Sequence, residues 1–214
     1  MRRSFGLLVA IACTACTRQL AVARPYPAAS PTPRVVLSGA PTLGRSAVSA
    51  EEAVSYLLTR ALDIPVAGKT VQQLQDTFDE GRDGGRVHRA LDILAPRGTP
   101  VLAADSGRIL RVKTNTLGGN TIYATDPLGR IVYYYAHLDA YQQGLTDGLV
   151  VARGDTLGFV GTTGNAPKDT PHLHFQIMRM PPDGKYWEGE AINPYPLFLL
   201  LQAARNDTLV EGAR

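Results

Sequence analysis

All four histidines of this 214-residue chain fall inside three short motifs, so any fold that serves them must bring together segments more than eighty residues apart. The motifs are HRALD (His88 to Asp92), YAHLD (Tyr135 to Asp139) and HLHF (His172 to Phe175). Neutral imidazole and carboxylate are common zinc ligands, and a catalytic zinc keeps three protein ligands and one open position. Histidine used so sparingly, and only beside aspartate or a second histidine, points to a single metal site of a metallohydrolase.

The local spacings carry different information. His172 and His174 are two apart, so on a strand they leave the same face about 7 Å apart at the backbone. Leu173 and Phe175 then point the other way, into a core. His88 and Asp92 are four apart, which on a flat strand means about 13 Å. That is too far for one ion, so the segment must bend, and Gly84-Gly85 just upstream supplies freedom to do so. His137 ends the aromatic run Val132 to Ala136, and simple alternation puts it on the face of Tyr133 and Tyr135.

From Gly84 onward the chain is a series of short β runs separated by turns. Pro100–Ala104, Gly107–Val112, Asn120–Thr125, Ile131–His137, Thr156–Val160 and Leu173–Met178 read as strands, broken by Gly-, Asn- and Asp-containing turns. Strands this short, spaced roughly 8–15 residues apart, predict a mainly β fold, an antiparallel sandwich or barrel. Ahead of it, Ser49 and the acidic pair Glu51-Glu52 open a helix running to about Leu62, with Val54, Leu57, Leu58 and Leu62 on one face. A second short helical turn is expected within Thr70–Asp79. The organisation read from the sequence is an export signal over 1–23, a linker over 24–47, a helical extension over 48–82, a metallohydrolase domain over 83–200 and a C-terminal tail over 201–214.

The signal has a charged start at Arg2-Arg3 and an apolar stretch from Phe5 to Ala15 that is too short to span a bilayer. Two endings stay open: cleavage after Ala21-Val22-Ala23, or a lipid anchor on Cys13 or Cys16. Both cysteines lie here, so the domain has no disulfide of its own. The linker carries Pro25, Pro27, Pro31, Pro33 and Pro41 and cannot bury a core. The formal charge of +3 also comes from this end. Without Arg2, Arg3 and Arg18 the chain holds 19 basic residues against 19 acidic. Nucleic-acid binding needs a basic face, and that balance excludes it. Export, a balanced charge and one compact domain predict a monomer of the periplasm or cell envelope, touching a membrane only through the anchor.

At this point the sequence resembles the lysostaphin-type peptidoglycan endopeptidases, zinc enzymes that cut peptide bonds in bacterial cell-wall cross-bridges. The likeness spans about Phe78 to Leu197. It includes His88-x-x-x-Asp92, Ala95-Pro96-Arg97-Gly98-Thr99-Pro100-Val101, Tyr135-Ala136-His137-Leu138 and Val151-x-x-Gly154-Asp155. It continues through Val160-Gly161-Thr162-Thr163-Gly164, His172-Leu173-His174-Phe175 and Asn193-Pro194. The resemblance implies one zinc held by His88, Asp92 and His174, with His137 and His172 as unligated catalytic histidines. It also implies the duplicated hybrid motif fold with an open groove, and peptidoglycan peptide cross-links as the partner. Ala90 stands where the family usually has glycine, so a modest distortion of the bend or a narrower groove is expected there.

With no helical His-Glu-x-x-His, two free histidines must handle the protons, and the sequence leaves open which is the base. Two other classes compete with this reading. A non-catalytic regulator of wall amidases would have lost ligands, and this chain keeps them all. A phosphocarrier with paired histidines has no use for Asp92 or an export signal.

Overall fold

The structure is a computed structural model and describes residues 49–211, without the side chains of residues 83 and 208–211. The export segment with Cys13 and Cys16, and the linker, lie outside the described residues.

Helix α1 (Ala50–Arg60) begins as its sequence dictates. The Ser49 hydroxyl accepts from the Glu52 N–H at 3.2 Å, and the Glu52 carboxylate accepts from the Ser49 N–H at 2.8 Å, a reciprocal cap. The helix stops at Ala61, whose backbone is left-handed. Of the expected face, Leu57 and Leu62 are buried and Val54 packs on the core, while Leu58 is exposed and Ala53 is buried instead. Arg60 and Asp105 dock the helix on the sheet through two 2.9 Å bonds, and the Tyr133 hydroxyl donates to the same buried carboxylate at 3.0 Å. Within the expected second turn, only Val71–Gln73 is helical, as a single 3-10 turn.

The strands are β1 (Gly81–Arg82), β2 (Arg86–Val87), β3 (Leu91–Leu94), β4 (Pro100–Leu102), β5 (Gly107–Asn115), β6 (Gly119–Thr125), β7 (Ile131–Tyr141), β8 (Val150–Val151), β9 (Thr156–Val160), β10 (His172–Arg179) and β11 (Ala191–Ile192). β1 and β2 form a small hairpin, and the other nine form one antiparallel sheet in the order β11-β10-β7-β6-β5-β8. The sheet branches where β3 joins β10 and where β9 bridges β4 and β7. β7 is the pivot of this arrangement: up to Ala136 it pairs with β10, and beyond a bulge between Leu138 and Ala140 it follows β9.

The mainly β, antiparallel class is therefore as predicted, and all six expected strands are present. β3 and the two-residue strands were not anticipated. The main core lies under β3, β6, β7, β9 and β10 and takes in Ile122, Tyr133, Tyr135, Val160, Leu173 and Phe175. A second apolar cluster of Tyr123, Val132, Tyr134, Ala136, Met178 and Met180 covers the other face of β6, β7 and β10.

Helix α2 (Pro194–Glu211) lays Leu197, Phe198 and Leu201 on the main core, with Phe198 stacked on Phe175 at 6.3 Å. The boundary expected at residue 200 falls inside this helix, which continues through residues 201–211 with Leu201 buried.

Candidate metal centre

Two pairings place the donors. Asp92 lies on β3 directly opposite His174 on β10, so the register alone puts carboxylate and imidazole side by side. His88 comes from the loop ahead of β3. The bend the motif needs is made by Arg89, whose φ of +55° is left-handed, not by Gly84-Gly85, which turn the β1–β2 hairpin. Ala90, where the resemblance leads one to expect glycine, is wholly buried and its backbone is not left-handed.

His88 Nε2, Asp92 Oδ1 and His174 Nδ1 form a triangle with edges of 2.9, 3.0 and 3.1 Å. Each can offer a lone pair to the point where they meet. The His88 ring donates its Nδ1–H to the Thr77 carbonyl at 2.8 Å, and a carbonyl only accepts, so Nε2 carries a lone pair. Lone pairs and a carboxylate this close are held together by a proton or by a metal ion shared between them. Zinc bonds of about 2.0–2.2 Å in tetrahedral geometry separate donors by roughly 3.3 Å, close to the edges observed. The donor set therefore fits zinc.

The same rule fixes the other two histidines. His137 donates Nδ1–H to the Thr163 carbonyl at 2.9 Å, and His172 donates Nδ1–H to the Thr170 carbonyl at 2.8 Å. Both are left with Nε2 as the acceptor, and His172 Nε2 lies 3.8 Å from Asp92 Oδ1. The rings of His137, His172 and His174 pack edge to face at 5.0 and 5.6 Å.

His137 is not on the face of Tyr133 and Tyr135 that alternation gives it. Those tyrosines are in the main core, whereas His137 has φ +62° and turns onto the opposite face with Tyr134 and Ala136. A left-handed backbone at a non-glycine residue costs on the order of 1–3 kcal/mol. It is held by two loops, one taking the His137 N–H on the Gly118 carbonyl at 2.7 Å, the other taking the ring on Thr163. Thr163 Oγ is itself shared, accepting from the Asn120 N–H at 2.9 Å and donating to the Leu138 carbonyl at 2.7 Å.

Burial pushes the His137 imidazole down to about 4, outweighing the opposing bond to Thr163, so it is neutral at pH 7. Burial also lowers His174, against the pull of Asp92. Burial alone would raise Asp92, but the His174 and His88 rings beside it hold its carboxyl well below the usual carboxylate range.

The sequence motifs missed three positioners. The Thr77 carbonyl orients His88, and its hydroxyl accepts the Asp92 N–H at 3.0 Å. Arg82 binds Asp92 Oδ2 at 2.7 Å. Tyr134 meets the His174 ring edge-on at 6.0 Å. No motif marks Thr77 or Arg82, while Tyr134 lay in plain sight within the aromatic run. Asn193, from the resemblance, clamps Asp76 at 3.1 Å beside Thr77 and accepts the Tyr195 N–H at the start of α2.

Residues 86–194, just over half of the chain, match the model of Peptidase family M23. This chain belongs to peptidase family M23. Within the family, the chain is 30% identical over 122 residues to the L-Ala–D-Glu endopeptidase of Bacillus subtilis, covering 54% of this chain and 37% of that protein. It is 37% identical over 99 residues to lysostaphin of Staphylococcus staphylolyticus, covering 46% of this chain and 20% of that one. The solved structure of lytM from Ruminococcus gnavus, a candidate glycyl-glycine endopeptidase, aligns with a TM-score of 0.51 at 31% identity, over 61% of this chain and 54% of the other. The M23 chain thus spans well under half the length of the curated relatives it matches.

Proposed function

We propose that this M23 protein is a zinc-dependent endopeptidase that cuts peptide cross-links of bacterial peptidoglycan. The observation that carries the reading is the close triangle of His88, Asp92 and His174 donor atoms, with two further imidazoles turned to the same place by backbone carbonyls. The relatives' names support the substrate: they are an L-Ala–D-Glu endopeptidase, lysostaphin and peptidoglycan DD-endopeptidases. These names differ in the bond they specify, so the class of substrate is proposed and not the bond.

His88, Asp92 and His174 would hold one zinc. When bound, zinc supplies a Lewis acid for the scissile carbonyl and makes water ionisable near neutral pH. His137 serves as the base: its buried ring is neutral, Nδ1–H stays on Thr163, and Nε2 takes the proton of the attacking water. Thr163 then stabilises the imidazolium by keeping its Nδ1–H bonded. His172, with Nδ1–H on Thr170, can donate from Nε2 only when protonated, which suits a partner for the developing oxyanion and the leaving amine.

The export segment supports placement in the envelope, by clean release at Arg24 or by an anchor on Cys13 or Cys16, with the domain acting as a monomer. Digesting purified sacculi with the protein and identifying the new termini by mass spectrometry tests the activity and names the bond. Intact sacculi after incubation with the zinc-loaded protein refute it.

A further inference from the structure

Asp92 divides its two oxygens between two cations-in-waiting. Oδ1 faces His88 and His174 at 3.0 and 3.1 Å, while Oδ2 lies 2.7 Å from Nη2 of Arg82. The guanidinium is in turn oriented by Glu80, whose Oε2 accepts from Nη1 at 2.8 Å. Arg82 is on β1, at the start of the hairpin that leads directly to His88. It lies outside the stretch matched by the family, residues 86–194, and one residue ahead of the domain start expected at residue 83.

We infer that Arg82 is a positioning residue of the metal centre: by occupying Asp92 Oδ2 it leaves a single carboxylate oxygen for the metal and fixes the carboxylate plane. A free carboxylate at this place could rotate to offer both oxygens, since ligating carboxylates bind in either mode. Two oxygens on the ion would fill the position that must stay open for water or substrate. A planar fork of N–H donors suits this task better than an ammonium, because it aims one donor at Asp92 while another stays on Glu80. The β1–β2 hairpin therefore belongs to the catalytic unit and is not an appendage of the helical extension.

This inference rests on the proposed zinc site, and the test separates the two. Full-length protein is compared with Arg82→Gln, Arg82→Lys and Glu80→Ala for zinc affinity by chelator competition and for the visible spectrum of the cobalt(II)-substituted form. Loss of such an outer partner typically weakens metal binding about 10–100-fold. Arg82→Gln should fall in that range, and its cobalt absorption should weaken and shift as four-coordination gives way to a higher number. Arg82→Lys should recover part of both, and Glu80→Ala should show a smaller loss with the same spectral trend. Unchanged affinity or an unchanged cobalt spectrum in Arg82→Gln overturns the assignment. If that variant does not fold, as judged by its far-UV circular dichroism, Arg82→Lys decides: parity with the parent in both readouts overturns it. Neither readout involves wall cleavage, so a parent that binds zinc but leaves sacculi intact removes the proposed function and leaves this inference standing.

Discussion

Gly119→Ala should disable turnover while sparing the metal, because the two loops that hold His137 touch through glycine backbones. Gly119 has φ +64°, and a methyl group there would sit 2.2 Å from Thr163 Oγ and 2.4 Å from the Gly164 nitrogen. An ordinary contact is roughly 3.5 Å, so the loops must part by about 1 Å. Thr163 carries the carbonyl that holds the His137 ring, and Gly118 carries the carbonyl that holds its backbone, so the parting pulls His137 from both sides. The left-handed backbone adds about 1–2 kcal/mol for any residue with a Cβ. A displacement of about 1 Å in a catalytic group can cost about 100-fold in rate. The expected result is a folded protein of lower Tm, with one equivalent of zinc by elemental analysis and about 100-fold slower release of soluble peptide from sacculi. The zinc persists because His88, Asp92 and His174 hang from β3, β10 and the loop before β3. Activity within threefold of the parent, or loss of zinc at an unchanged fold, would refute the reasoning.

The donor triangle predicts that Asp92→Ala abolishes tight zinc binding together with cleavage; a variant that still holds one equivalent against a chelator removes Asp92 from the ligand set. His137→Ala and His172→Ala should keep zinc and lose roughly 100-fold or more in kcat, the scale of proton-transfer help. Since the His137 base must be neutral and burial places its pKa at about 4, its working form persists as pH falls from 7 and is lost only near pH 4. The His137 ring resonances followed by NMR should accordingly keep their neutral shifts down to about that pH, and a titration near 6.5 would show that burial does not set its protonation. Asp105→Ala strands the part-buried Arg60 and the buried Tyr133 hydroxyl, so it should cost about 3 kcal/mol, read as a drop of roughly 10 °C in Tm, with zinc affinity unchanged.

What the sequence could reveal follows the range of each signal. Alternation is local, so it gave the strand from His172 and the burial of Leu173 and Phe175 correctly. It failed at His137 because one left-handed residue reverses the face of everything after it, and no residue type announces that reversal. The bend between His88 and Asp92 was required by distance, yet it was sought at the glycines and is made by Arg89, where the Phe78 carbonyl takes the N–H at 2.8 Å and Gln176 donates to the carbonyl at 3.0 Å. Those are contacts between segments far apart in the chain. Strand β3 was too short to read, although Leu91 and Ile93 alternate with Asp92 and Leu94 as a half-buried strand should. Thr77 and Arg82 were invisible for another reason: a carbonyl and a single guanidinium have no spacing rule, so only their three-dimensional placement identifies them.

The support of the site divides along the same line as its chemistry. The hydrogen bonds and register that orient the proposed metal donors come from the segment before β3 and from the β3–β10 pairing: the Thr77 carbonyl on His88, the Thr77 hydroxyl and Arg82 on Asp92, and the register between Asp92 and His174. The unligated imidazoles are instead oriented by carbonyls of the loop that joins β9 to β10, Thr163 for His137 and Thr170 for His172. A change in the first set should therefore move zinc affinity first and turnover as a consequence, whereas a change in the second should move turnover at constant metal content. Such a division lets much of the β9–β10 loop vary in sequence while His88, Asp92 and His174 stay in place, provided that the loop keeps its two carbonyls on the imidazoles and Thr163 and Gly164 against Gly119.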